Sequence, residues 1–190
     1  MSSTPHRQHL DVLVVGAGLV GLATAHALAA RDLRVTVVEA EPRVAAHQSG
    51  HNSGVLHSGL YYPPGSLKAL LCRDGRARML AFCAAHDVPV TLRGKLVVAT
   101  RDEELPRLDA LEQKGRRNGL QGLERMDAAG IREREPHVVG LAALLVPETG
   151  VVDFGQVARA LARACRDLGV DLRTGEAFLE RVDGDAGGAR

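Results

Sequence analysis

The chain has 190 residues, a formal net charge of +1, 45% hydrophobic and 25% charged residues, and 3% aromatics with no tryptophan. This balance excludes a disordered, fibrous or coiled-coil chain, and the length suits one large domain with a small addition better than two complete domains. Charge that nearly cancels gives no electrostatic footing for nucleic acid or an anionic membrane, and too few aromatics are present for a base-stacking platform, so a small ligand is the expected partner.

Taken in chain order, Asp11 to Val15 reads as a buried strand, because Val12 to Val15 is a continuous apolar run that ends at glycine. Leu22 to Ala30 is an Ala- and Leu-rich helix, and Arg34 to Val38 is a second β-branched strand that stops at Glu39. After the Pro63-Pro64-Gly65 turn, Ser66 caps a helix that runs to about Ala85. Lys95 to Ala99 is a strand, Asp102 caps a helix ended by Asn118-Gly119, and a short helix after Asp127 stops at Pro136. Leu141 to Val146 is an apolar strand, and Asp153 caps a helix with Val157, Leu161, Ala164 and Leu168 facing inward. Val170 to Leu172 and Ala177 to Val182 read as strands, and the glycine-rich residues after them as a turn or tail.

Cys72, Cys83 and Cys165 form no Cys-x-x-Cys pair and no metal-ligand spacing, which predicts reduced core residues of a cytoplasmic protein. The polar start, Met1 to Leu10, predicts neither a signal peptide nor a membrane span.

The chemistry is concentrated in two stretches. In Gly16-x-Gly18-x-x-Gly21 the first glycine allows a tight turn, the second lets a pyrophosphate approach the backbone, and the third allows a helix to pack closely on a strand. A strand precedes the motif, a helix follows it, and Glu39 lies 23 positions after Gly16, close to the roughly 20 expected for a carboxylate that takes ribose hydroxyls. A carboxylate there disfavours a 2′-phosphate. The second stretch runs from Gln48 to Tyr62, where glycines alternate with hydroxyl, amide and imidazole groups, as suits a flat polar heterocycle or, equally, a glycine-rich surface loop. His47, His51 and His57 make a poor metal set, because no carboxylate or cysteine completes it, so no metal is expected.

Gly16 to Gly21 with Glu39, Ser49 to Tyr62, Gly94 to Ala99, Arg134 to Val138 and Val146 to Asp153 together resemble the D-amino-acid-oxidase-like family of FAD-dependent oxidoreductases, nearest its members that act on L-2-hydroxyglutarate. The resemblance implies an α/β fold: a glutathione-reductase-type, Rossmann-like FAD-binding domain made of residues 1–90 and 151–190, with part of an α+β substrate domain, residues 91–150, inserted. It implies that Gly16, Gly18 and Gly21 meet the FAD pyrophosphate and Glu39 the adenosine ribose. Ser49, Gly50, His51, Asn52, Ser53 and Gly54 would then lie along the flavin, with His57 and Tyr61 on the substrate side.

The expected reaction is oxidation of a 2-hydroxy acid, L-2-hydroxyglutarate above all, to the 2-oxo acid, with His57 as base and oxygen or a quinone as electron acceptor. A quinone partner would bring peripheral association with the inner face of the membrane. Members of the family continue well past this length, so the chain is expected to be an amino-terminal portion that is inactive alone. The fingerprint is shared with NAD-dependent dehydrogenases, and a non-catalytic truncated product is the third reading.

Overall fold

The computed structural model describes residues 10–181. In chain order the elements are β1 (Val12–Val15), α1 (Leu19–Ala29), β2 (Val35–Glu39), β3 (Val55–Leu56), α2 (Leu67–Ala85), β4 (Val90–Thr91), β5 (Lys95–Ala99), a 3-10 turn (Asp102–Glu104), α3 (Leu105–Arg117), β6 (Glu124–Asp127), α4 (Ala128–Arg134), β7 (Ala142–Val146), β8 (Gly150–Val152), α5 (Phe154–Asp167) and β9 (Asp171–Thr174). They form a mixed α/β structure of two compact units, Met1–Asn52 with Phe154–Arg190, and Ser53–Asp153.

In the first unit β1, β2 and β9 form a parallel sheet in the order β1-β2-β9, with Val12 opposite Val35 and Thr36 opposite Asp171. β1 and β2 are rich in valine; β2 is buried from Val35 to Val37, whereas β1, read from the sequence as a buried strand, alternates half-buried and exposed residues. α1 packs against α5, and Ala25 and Ala29 on α1 and Ala158 and Ala164 on α5 are buried. Val157 and Leu161 add the larger buried volume, about 1.5–3 kcal/mol for each side chain removed from water. The buried Cys165 thiol donates to the Leu22 carbonyl over 3.4 Å, and burial pushes its ionisation upward, as for a reduced core residue. Among the described residues β1 has a strand on one side only, and Leu13 and Val15 are exposed.

The second unit holds two antiparallel sheets, β3-β8-β4 and β5-β7-β6. In the second of these Lys95 faces Val146 and Met126 faces Ala143. The sheet is covered by α3, and the core between them is Leu108, Leu120, Leu123, Leu144 and Val146, joined by Leu60. Residues 53–90, assigned from sequence to the dinucleotide domain, group with this unit because β3 and β4, at their two ends, both pair with β8.

Further local readings are corrected. Leu168, read as facing inward, lies past the end of α5 and is exposed. Residues 177–181 form no strand, and Val182 lies outside the described residues. Asp102 does not cap a helix; it opens the 3-10 turn, and the Glu104 carboxylate receives the Thr100 backbone N–H (2.8 Å) and hydroxyl (3.1 Å). Ser66 and Asp127 do cap, accepting from the N–H groups of Ala69 and of Ala129 and Gly130. The Thr100 N–H, then Arg101 and the Thr100 hydroxyl, hold Glu104 down from 4.5 to about 2. A depressed carboxylate stabilises the fold above its unfolded value and loses that contribution as pH falls through its folded value, so the 3-10 turn is expected to loosen between pH 4.5 and 2. Side-chain NMR titration of Glu104 checks this; an inflection near 4.5 would refute it.

Candidate functional site: a dinucleotide turn and a tyrosine turn

The first unit gathers five of the expected site residues around one turn. Gly16 has φ +97°, a conformation open to glycine, and its N–H donates to the Val38 carbonyl over 2.7 Å, tying the end of β1 to β2. The chain then enters α1 at Gly18, which supplies no capping side chain. The cap comes from a distance instead: Ser49 Oγ accepts the Leu19 N–H over 3.0 Å. A Cβ on Gly18 would touch that same oxygen at 3.0 Å, so the second glycine is needed for the approach of Ser49 as well as for an open backbone. The third glycine is a matter of packing, because a Cβ at Gly21 would lie 2.0 Å from the Gly16 carbonyl oxygen.

Glu39 closes the turn. One carboxylate oxygen accepts the Ala17 N–H at 2.7 Å and the other the Glu41 N–H at 3.0 Å. Among the described residues the N–H groups of Gly18, Val20 and Gly21 have no partner, so the positive end of α1 keeps three donors at the glycine turn. Those donors suit a phosphate, and a carboxylate with spare lone pairs beside them suits a ribose. The residues present therefore fit the dinucleotide half of FAD.

The remaining residues of the second stretch are divided. Ser49 sits at the α1 N-terminus. A Cβ at Gly50 would lie 2.2 Å from the Ala45 carbonyl oxygen, so this glycine answers to packing. His51 bonds the His47 carbonyl through Nδ1, and Asn52 Nδ2 donates to the carbonyls of Gln48 and Ser49, so both stabilise their own turn. His47 pairs with Glu41 at 3.0 Å. Among the described residues no group of three or more His, Cys, Asp or Glu could hold a metal.

Ser53 and Gly54 belong to the second unit, where His57, Ser58, Tyr61 and Lys95 border a small concavity with room for about one water, 10 Å³. The His57 and Tyr61 side chains are exposed, and among the described residues neither makes a hydrogen bond through its side chain. What holds the turn is Asn118, whose Nδ2 donates to the carbonyls of Gly59 (3.1 Å) and Tyr62 (2.9 Å). Lys95 Nζ stands 4.3 Å from the centre of the Tyr61 ring, and Lys68 Nζ 4.6 Å from that of Tyr62. Sequence reasoning missed Asn118 and Lys95: the first reads as a helix stop and the second as a strand start, and no local signal ties either to Tyr61.

Comparison with known proteins shows the family. Residues 11–190 match the model of the DAO family, FAD dependent oxidoreductase. The chain is 47% identical over 170 residues to the mitochondrial L-2-hydroxyglutarate dehydrogenase of Nematostella vectensis, covering 88% of this chain and 37% of that protein. It is 44% identical over 171 residues to the L-2-hydroxyglutarate dehydrogenase of Indibacter alkaliphilus, covering 89% of this chain and 42% of that one. The chain thus spans about two fifths of the length of these curated relatives. Among solved structures, L-α-glycerophosphate oxidase from Mycoplasma pneumoniae with FAD bound superposes with a TM-score of 0.80 at 26% identity, covering 95% of this chain and 48% of that one. Glycine oxidase from Geobacillus kaustophilus gives 0.81 at 25%, covering 95% and 50%. The cofactor of the family is FAD, not a nicotinamide, and the chain, with its glycine turn and Glu39 in place, belongs to the DAO family of FAD-dependent oxidoreductases.

Proposed function

We propose that this chain is the FAD-binding and substrate-facing portion of an enzyme that oxidises L-2-hydroxyglutarate to the 2-oxo acid. The observation that carries the reading is 44–47% identity, over 88–89% of the chain, to relatives named for that substrate. The donors at the α1 N-terminus and the Glu39 carboxylate support its dinucleotide half.

In this reading Gly18, Val20 and Gly21 donate to the pyrophosphate and Glu39 accepts from the adenosine ribose. Ser49 keeps the first turn of α1 in position for both. The first unit is the nucleotide domain, and residues 91–150 belong to the substrate domain. Bound FAD supplies the acceptor for the hydride leaving C2. His57 takes the proton of the C2 hydroxyl, so that loss of hydride and proton together leaves the ketone, and its exposed, unbonded ring is free to do so. Oxygen or a quinone would be the final electron acceptor.

Purified protein titrated with FAD is expected to quench flavin fluorescence at one equivalent, and a nicotinamide dinucleotide is expected to leave it unchanged. The Glu39→Gln variant should bind FAD more weakly by about 1–3 kcal/mol, the scale of a hydrogen bond to a charged acceptor. Equal affinity by titration calorimetry removes Glu39 from the ribose. L-2-Hydroxyglutarate should bleach the bound flavin under anaerobic conditions, and failure of every 2-hydroxy acid to do so in the whole enzyme overturns the reading.

A further inference from the structure

The chain carries 21 arginines and three lysines, Lys68, Lys95 and Lys114. Many of the arginines are spent on carboxylates, as in Arg34 with Asp11, Arg76 with Glu148, Arg116 with Glu112 and Arg173 with Asp171. Lys95 is set apart by its place: its ammonium stands over the Tyr61 ring at the edge of the concavity bordered by His57 and Ser58, and among the described residues it has no ion pair.

Its backbone is held firmly. Lys95 opens β5 opposite Val146, and the preceding Gly94, at φ +73°, donates its N–H to the Thr149 carbonyl over 3.0 Å. A cation on a strand end, kept in place by a ring face and lacking a carboxylate of its own, is prepared for an anion from outside. Lys68 on the adjoining Tyr62 ring, also without an ion pair among the described residues, adds a second positive charge to the same turn.

Resting on the reading under Proposed function, we infer that Lys95 binds the C5 carboxylate of L-2-hydroxyglutarate and is the residue that selects a dicarboxylate over a 2-hydroxy monocarboxylate. The C1 carboxylate is common to every 2-hydroxy acid; the C5 carboxylate is what sets this one apart. C2 and C5 are only a few bonds from each other, so a base and a cation on one concavity serve both ends. Tyr61 is the platform that fixes the ammonium.

The test is the apparent dissociation constant read from the concentration dependence of anaerobic flavin bleaching in the FAD-loaded whole enzyme, with L-2-hydroxyglutarate and with L-2-hydroxybutyrate, which is the same acid without its distal carboxylate. Wild type is expected to prefer the dicarboxylate by about 10-fold or more, the scale of a charge-assisted hydrogen bond. Lys95→Met should weaken L-2-hydroxyglutarate binding by about 10- to 100-fold while changing L-2-hydroxybutyrate less than about 2-fold, so the preference disappears. Lys95→Arg should retain most of it, with FAD affinity and thermal midpoint unchanged in both variants. Preference kept in Lys95→Met, with wild type binding normally, overturns the Lys95 assignment alone. Equal weakening of both acids also overturns it, since that marks a structural role. Wild type that binds neither acid overturns the substrate reading and the assignment with it.

Discussion

Gly21→Ala is expected to destabilise the first unit by about 3 kcal/mol or more, and to abolish dinucleotide binding at concentrations that saturate the wild type. Its Cβ would sit 2.0 Å from the Gly16 carbonyl oxygen, 3.1 Å from the Gly16 carbonyl carbon and 3.4 Å from Val14 Cγ1. These are mostly backbone atoms of a turn tied to β2 at Gly16, so no change of rotamer relieves the overlap. α1 must lift from β1 or the turn must open, and either movement displaces the N–H groups of Gly18, Val20 and Gly21 proposed to meet the phosphates. The substitution also gains about 1 kcal/mol of helix propensity, too little to offset such an overlap, so the sign is set by packing. Gly75→Ala within α2 is the control: nothing lies within 4 Å of its Cβ, and there the propensity gain of up to about 1 kcal/mol should appear as stabilisation. Urea unfolding followed by circular dichroism measures both. A Gly21→Ala midpoint equal to wild type would refute the packing account.

The second large effect is expected at Glu148. Arg76 Nε donates to the Glu148 backbone carbonyl at 2.7 Å and its terminal nitrogen to the Glu148 carboxylate at 3.0 Å, while the other carboxylate oxygen takes the Gln121 N–H at 2.7 Å. The side chains of Arg76 and Glu148 are 17% and 23% exposed, so the pair is largely withdrawn from water. It joins α2, the turn after α3 and the turn before β8. Glu148→Ala leaves a guanidinium without its counterion and an amide without its acceptor, at a cost of about 2–4 kcal/mol, below the full buried limit because some solvent remains. The exposed neighbours Arg73 and Asp74 give the contrast, and Arg73→Ala should change stability by less than about 0.5 kcal/mol. A double-mutant cycle of Arg76→Met with Glu148→Gln should return a coupling of at least about 1 kcal/mol, and additivity would show the pair to be incidental.

How much was legible in advance varied with range. The glycine turn could be read because its parts are adjacent: strand, turn, helix, second strand and terminal acid fall within residues 12–39. The long helices were readable from spacing, and Ser66 caps α2 as read, whereas the cap read at Asp102 is not one. The strands β3, β4 and β8 were not, because two or three residues cannot display an alternation, and they exist only by pairing with one another across the chain. Without them, the unit formed by residues 53–153 had no visible seam in the sequence.

The sequence by itself determined what neighbouring residues settle by sterics and local hydrogen bonding: the tight turn at Gly16, the close seat of α1 at Gly21, the acid at the end of β2, and through them the dinucleotide half of the site. The tertiary structure alone decided which distant side chains serve that frame. Ser49 reaches the Leu19 N–H across 30 positions, Asn118 holds the Gly59 and Tyr62 carbonyls across 59 and 56, and Lys95 comes to rest on Tyr61. Such contacts leave no periodicity in the chain, because each is the meeting of two segments whose own patterns are spent on their separate helices, strands and turns. Only the packing of those elements, with the hydrophobic surface it removes from water, brings the polar groups into range.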